Sequence, residues 1–146
     1  MRAIGLDLGS KRIGVALSNS AGTVATPYDL VVRCGDRQRE HRQIAALATE
    51  AEAEVIVVGM PYHLDGRMSP VAKAAMIEAQ ELGVATGLPI ETYDERLTTV
   101  TADRSLTEMN LKADARRRVV DKLAAAVMLQ AWLDRRRLAP TDEHPG

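Results

Sequence analysis

Three acidic side chains in this chain could act together: Asp7 on the first strand, Glu95 just past a later strand and Asp121 on a buried terminal helix. Asp7 lies in the run from Ala3 to Ser18. There Ile4, Leu6 and Leu8 alternate with Ala3, Gly5 and Asp7, and Ile13, Val15 and Leu17 alternate again after Gly9 to Arg12. That is the period of two short strands joined by a tight turn. Asp7 therefore projects from the face that carries only small residues, and Gly5 and Gly9 keep the space beside it open. An ionised carboxylate near the middle of an apolar sheet needs a cation or hydrogen-bond donors. Two readings stand: Asp7 meets such a partner, or it caps the following turn as Asp does near Gly-Ser. Asp121 falls on a packing face of a C-terminal helix, where it serves a cation or pairs with Arg117 and Arg118 one turn earlier. Carboxylates from three separate elements, gathered at one sheet edge, hold one or two divalent cations through oxygen. Such ions, about 4 Å apart, activate water and stabilise the leaving oxygen of a phosphodiester. Spacing alone leaves the convergence of the three open.

Composition narrows what else the chain can be. Its 146 residues suit one α/β domain, and 46% hydrophobic with 27% charged residues is ordinary for a globular protein. No apolar run approaches the roughly 18 residues of a membrane span, and the N-terminus lacks a signal-peptide pattern. Cys34 is the single cysteine and no Cys/His cluster has zinc spacing, which fits a reducing, cytoplasmic setting and leaves oxygen to hold any metal. The formal net charge is -1, so nucleic-acid binding requires positive charge gathered locally.

The elements that must position the carboxylates follow from pattern. A third strand is predicted after Pro27 through Leu30, Val31 and Val32, at a sheet edge because proline cannot donate to a ladder. A helix from Arg37 to Glu52 places Ile44, Leu47, Ala48 and Ala51 on one stripe. Val55-Ile-Val-Val58 is a strand buried on both faces, and its place after that helix predicts parallel pairing. After Gly59-Met-Pro61 and the turn pair Asp65-Gly66, Ser69-Pro70 opens a helix ending near Gly83 or Gly87, whose apolar stripe Glu78 interrupts. Pro89 to Tyr93 is β-prone, and Thr98 or Thr99 caps a short helix to about Thr107. Glu108 to Ala115 reads as a mobile loop, with Met109 and Leu111 as weak candidates for an interface. The last helix is predicted over Arg116 to Arg137. Asp121, Ala124, Ala125, Met128 and Trp132 form one stripe, and Val120, Leu123, Val127 and Ala131 a second. The domain reading is a single unit over residues 1–137 followed by a flexible tail over residues 138–146.

Four blocks carry a resemblance: Gly5-Leu-Asp-Leu-Gly-Ser-Lys-Arg-Ile-Gly-Val-Ala16, Val58-Gly-Met-Pro61 with Asp65-Gly66, Asp94-Glu-Arg-Leu-Thr-Thr99, and Val120-Asp-Lys-Leu-Ala-Ala125. In order and spacing they resemble the YqgF/RuvX family of small bacterial proteins with a ribonuclease H-like fold, over roughly Arg2 to Arg136. The resemblance implies an α/β architecture with a five-stranded mixed sheet, its first three strands antiparallel, flanked by helices. It carries over Asp7, Glu95 and Asp121 as the acidic metal-binding and catalytic residues. Asp7 would bridge two ions, Mg²⁺ or Mn²⁺, with Glu95 and Asp121 completing the set. His63 departs from a position more often like Asn, and a solvated loop histidine is the preferred reading there.

The activity so implied is an endonuclease acting on structured nucleic acid, processing the 5′ end of the 16S ribosomal RNA precursor. Cleavage of four-way DNA junctions as a Holliday junction resolvase is the alternative. Around the proposed ligands the sequence gathers cations: Lys11 and Arg12 by Asp7, Arg67 in the loop, Arg96 by Glu95, and Arg116, Arg117, Arg118 and Lys122 around Asp121. These would contact phosphates. Arg135 to Arg137 are read instead as complementing the helix dipole. Aromatic residues are only 3%, which argues for recognition through backbone and shape over base stacking.

Two readings from other classes compete. Gly5-x-Asp-x-Gly-Ser also resembles the first phosphate loop of actin-like ATPases and sugar kinases, but those need two such domains and this chain has room for one. A non-catalytic RNA-binding factor of ribosome assembly or transcription would gain nothing from three acidic residues where phosphate must lie. A monomer and a homodimer both remain compatible with the sequence.

Overall fold

The computed structural model describes residues 1–61, 67–94 and 113–138, with the side chains of residues 113–121 and 137–138 excepted. In chain order the elements are β1 (Ala3–Leu8), β2 (Arg12–Ser18), β3 (Ala25–Val32), α1 (Arg37–Glu50), β4 (Val55–Met60), α2 (Pro70–Thr86), β5 (Ile90–Asp94) and α3 (Ala113–Leu138). The strands form one sheet in the order β3-β2-β1-β4-β5. β1 pairs antiparallel with β2 and β2 with β3, whereas β1 with β4 and β4 with β5 are parallel. This is the mixed sheet that the resemblance implies.

The two faces bury different residue sets. α1 and α2 cover the face of Ile4, Leu6, Ile13, Val15, Ile56 and Val58, which pack with Ile44, Ala79 and Leu82. α3 covers the other face, where Ala3, Ala16, Val55 and Val57 meet Ala125, Met128, Leu129, Trp132 and Leu133. β4 is buried at every residue because helices lie on both sides of it, so its pattern is a continuous apolar run.

Local chemistry sets the boundaries, with some corrections to the pattern reading. β3 begins at Ala25, two residues before Pro27. The proline is tolerated on this edge strand, in register with Ala16, beside a register shift between Val15 and Ala16. α1 stops at Glu50 with Ala51 as its cap, and Glu52 turns the chain with φ 56°. Ser69 caps α2 by accepting from the Ala72 N–H, and Gly87 closes it in the left-handed conformation at φ 71°. β5 runs one residue beyond Tyr93, to Asp94. α3 begins at Ala113, so the end of the segment read as a loop, residues 113–115, is helical. Its buried residues are Ala125, Ala126, Met128, Leu129, Trp132 and Leu133, while Leu123, Val127 and Ala131 of the expected second stripe are only half-buried. The expected short helix to Thr107, Met109, Leu111 and the tail beyond Leu138 lie outside the described residues.

Candidate active site

β1, β4 and β5 run parallel, so their carboxyl ends open onto the same edge of the sheet. Leu6 is level with Val58, and Val58 with Thr92. Asp7 is thus one residue past a row that crosses all three strands. In open sheets of this kind, ligands bind beyond the carboxyl ends of parallel strands. By strand alternation Asp7 shares the α3 face with Ala3 and Gly5, and it is half-buried at the rim of that face.

Glycine is required at two points around it. A Cβ on Gly5 would come within 2.9 Å of the Leu129 Cβ, so the missing side chain lets α3 lie directly on β1. A Cβ on Gly9 would meet the Arg12 carbonyl oxygen at 2.5 Å, so only glycine fits the turn after Asp7. That turn is closed by the backbone: the Gly9 N–H donates to the carbonyls of Asp7 (3.1 Å) and Arg12 (3.0 Å). The Asp7 carboxylate does not cap it, and no hydrogen bond or ion pair reaches this carboxylate from the described residues.

α3 runs opposite to β1. Leu129 sits on Gly5, Gln130 accepts from the Ala25 N–H (2.8 Å) and donates to the Thr23 carbonyl (2.9 Å), and Leu133 reaches the cleft beside Met1. The helix backbone at residue 121 lies two turns, about 12 Å, before Leu129, toward the edge where Asp7 stands. Glu95 directly follows Asp94, the last residue of β5, and itself lies outside the described residues.

The expected phosphate-binding cations divide similarly. Lys11 is exposed on the turn after Asp7, and Arg12 is half-buried at the start of β2. Arg67 is exposed ahead of α2, and Lys122 is half-buried on α3. Arg116, Arg117 and Arg118 lie on the helix backbone with their side chains outside the described set, together with the Asp121 carboxylate and its proposed pairing to them. Arg96 and His63 also lie outside it. Among the described residues no group of three His, Cys, Asp or Glu side chains is placed to hold a metal ion. Oxygen donors such as Asp7, Glu95 and Asp121 would suit a hard divalent cation, and a rim carboxylate to which no described residue bonds fits that use.

Pattern reading missed a second group of charges on the opposite face. Arg33, directly after β3, donates from both Nη atoms to Glu78 (2.6 and 2.8 Å), from Nη1 to Glu40 (3.0 Å) and from Nε to the Gly9 carbonyl (3.0 Å). Glu40 also accepts from the N–H groups of Cys34 (2.8 Å) and Gly35 (3.2 Å), and His41 Nε2 lies 2.8 Å from Glu78. Burial pushes the Glu40 carboxyl up, but the Cys34 N–H, Arg33 and the Gly35 N–H outweigh it and hold it below its ordinary value. Burial likewise opposes ionisation of Glu78, and the bonds from Arg33 and His41 overcome it and hold that carboxyl low as well. Glu78 was visible in the sequence as a break in an apolar stripe. Its partners come from α1 and the end of β3, which no local pattern connects.

With this geometry in place, the comparisons with known proteins are specific. The family model described as RuvX, Holliday junction resolvase, matches residues 1–135. The chain belongs to the RuvX family. A relative from Mycobacterium sp. (strain KMS), named as a candidate pre-16S rRNA nuclease, is 45% identical over 139 residues, 94% of this chain and 82% of that protein. One of the same name from Myxococcus xanthus (strain DK1622) is 41% identical over 145 residues, 99% and 95% of the two chains. Among solved structures, T. thermophilus RuvC in complex with a Holliday junction substrate superposes with a TM-score of 0.58 at 16% identity, covering 94% of this chain and 96% of that one. That likeness establishes a ribonuclease H-like fold. RuvX membership makes the chain a phosphodiester-cleaving hydrolase by class.

Proposed function

We propose that this RuvX protein is a divalent-metal-dependent endonuclease that processes the 5′ end of the 16S ribosomal RNA precursor. The observation that carries the reading is Asp7: a carboxylate without a described protein partner, held on a rigid strand at the edge where the parallel strands end. Glu95 follows β5, the parallel strand beyond β4, and Asp121 belongs to the helix packed across that face, and with Asp7 they would hold the cation or cations. Mg²⁺ or Mn²⁺ bound there supplies the activation of water and the neutralisation of the leaving oxygen.

The remaining work falls to the chain's own residues. β1 fixes the direction of the Asp7 carboxylate, because its backbone is paired on both sides, to β2 and to β4. Lys11 and Arg67, both exposed, and Arg12, Arg96, Arg116, Arg117, Arg118 and Lys122 contact backbone phosphates and bring the strand to the carboxylates. The substrate is read through backbone and shape, since tyrosine and tryptophan are few and phenylalanine is absent. The names borne by the RuvX relatives favour the ribosomal RNA precursor, and the description of the family model favours a DNA junction.

The deciding experiment offers labelled precursor 16S leader RNA and a four-way DNA junction side by side, with Mg²⁺, Mn²⁺ or EDTA, to wild type and Asp7→Asn. The expected result is metal-dependent cutting of the RNA alone, lost in the variant. Paired symmetric nicks in the junction would replace the substrate by branched DNA. No cutting of either by folded wild type, with RNA binding indifferent to EDTA, would replace the enzyme by a binding factor.

A further inference from the structure

We infer that Arg33 is a positioning residue for the proposed cleavage site, acting from the opposite face of the sheet through the turn that follows Asp7. The inference rests on the reading of Asp7 as a metal ligand. The turn consists of Gly9, Ser10 and Lys11, and Arg33 takes the carbonyls at both of its ends. Its backbone N–H donates to Lys11 (2.9 Å) and its Nε–H to Gly9 (3.0 Å). These are the two residues on which the site's geometry depends at this point. Gly9 closes back on the Asp7 carbonyl, and Lys11 is the first exposed cation after the carboxylate.

A guanidinium with freedom to rotate would fix nothing, and this one has little. Glu78 grips it with both oxygens, in the bidentate geometry that specifies orientation as well as distance. Glu40 holds Nη1 from α1, and Glu40 is itself fixed by the Cys34 and Gly35 N–H groups. His41 Nε2 also lies 2.8 Å from Glu78 Oε2. The Arg33 side chain is 17% exposed and the two carboxylates 4%, so these bonds are largely protected from water. A buried ion cluster adds little net stability over an apolar one, so it is weak as a stability device. What an apolar cluster could not supply is the directed N–H on the Gly9 carbonyl. The arrangement is that of an outer shell: groups that never touch the reacting atoms but set the orientation of the ligand that does.

The test compares wild type with Arg33→Lys, which keeps the charge and the backbone N–H but loses the Nε–H and the fork. Leu82→Ala, which damages α2 from within the same core without touching the turn, supplies the baseline for a purely structural loss. Amide exchange of Gly9 is followed without metal, and Mn²⁺ binding by calorimetry. In Arg33→Lys, Gly9 exchange should rise and Mn²⁺ affinity fall, each by on the order of tenfold, with cleavage lowered in kcat more than in KM. Leu82→Ala should lower Tm with neither change. Should Arg33→Lys fail to fold, Glu78→Gln, which retains the shape of the acceptor, should shift both readouts in the same direction by less. Wild-type Gly9 exchange in folded Arg33→Lys, or equal changes in Leu82→Ala, would overturn the inference. Because the exchange arm contains no metal, it decides the clamp even if Asp7→Asn leaves Mn²⁺ binding intact, which is the result that would overturn the metal reading.

Discussion

On the face covered by α3, the Asp7 carboxylate is half-buried at the rim and no described residue bonds to it. On the face covered by α1 and α2, Glu40 and Glu78 are buried deeper, and all four of their carboxylate oxygens are bonded, to Arg33, His41 and the N–H groups of Cys34 and Gly35. Both faces hold acid against apolar sheet, with opposite accounting of partners. A fully satisfied carboxylate is part of the architecture, and removing it leaves orphaned charge behind. A carboxylate on a rigid strand to which no described residue bonds has lone pairs available to a cation. The two faces meet at the turn Gly9 to Lys11, which links the satisfied acids to the open one through Arg33.

The contrast is sharpest in activity. Asp7→Asn should reduce cleavage by on the order of 10³-fold, since several kcal/mol of transition-state stabilisation is lost with the metal site. Its far-UV circular dichroism should match wild type. Cleavage at the wild-type rate would place the chemistry elsewhere.

In stability the order reverses. Arg33→Ala strands two buried carboxylates and should cost about 3 kcal/mol in urea unfolding, whereas Asp7→Asn should cost nothing measurable. A smaller effect tests how α3 is seated: Gly5→Ala drives a methyl against Leu129 and should cost about 1–3 kcal/mol, read as a lower Tm. Unchanged stability in Gly5→Ala would mean that α3 yields without penalty.

Acid tests the satisfied face. The carboxyls of Glu40 and Glu78 are held below their ordinary value of 4.5, so each contributes stability above that pH and loses it as pH falls through its folded value. The unfolding free energy should therefore decline below about pH 4.5, and Glu78→Gln should flatten that decline. An undiminished decline in Glu78→Gln would show that this carboxyl does not carry the acid sensitivity.

Much of this fold is legible in local pattern, for reasons that differ by element. The alternation through Ala3 to Ser18 reports a hairpin with one face against each layer, and the run Val55 to Val58 reports burial on both. Pro27 rightly marks β3 as an edge strand but misleads about its start, because a proline on an edge strand can sit within the strand and need not precede it. In α3 the expected Ala125, Met128 and Trp132 are buried, but Leu129 and Leu133 join them where Leu123, Val127 and Ala131 are expected, because a helix apolar over most of its circumference has no clear phase until Gly5 fixes which side chain lies against the sheet. Asp7 could be singled out because a charge in an alternating strand is visible locally. Arg33 could not, because its Glu78 partner is 45 residues away and its Gly9 partner 24.

The most direct measurement is a Mn²⁺ titration of thermal stability in wild type, Asp7→Asn and Glu78→Gln. A cation that binds only the folded state raises Tm with concentration. Wild type should rise with Mn²⁺ and fall back with EDTA. Glu78→Gln should start lower and still rise, and Asp7→Asn should start no lower than wild type and stay flat. A rise in Asp7→Asn equal to that of wild type would contradict the assignment of the open carboxylate to a metal.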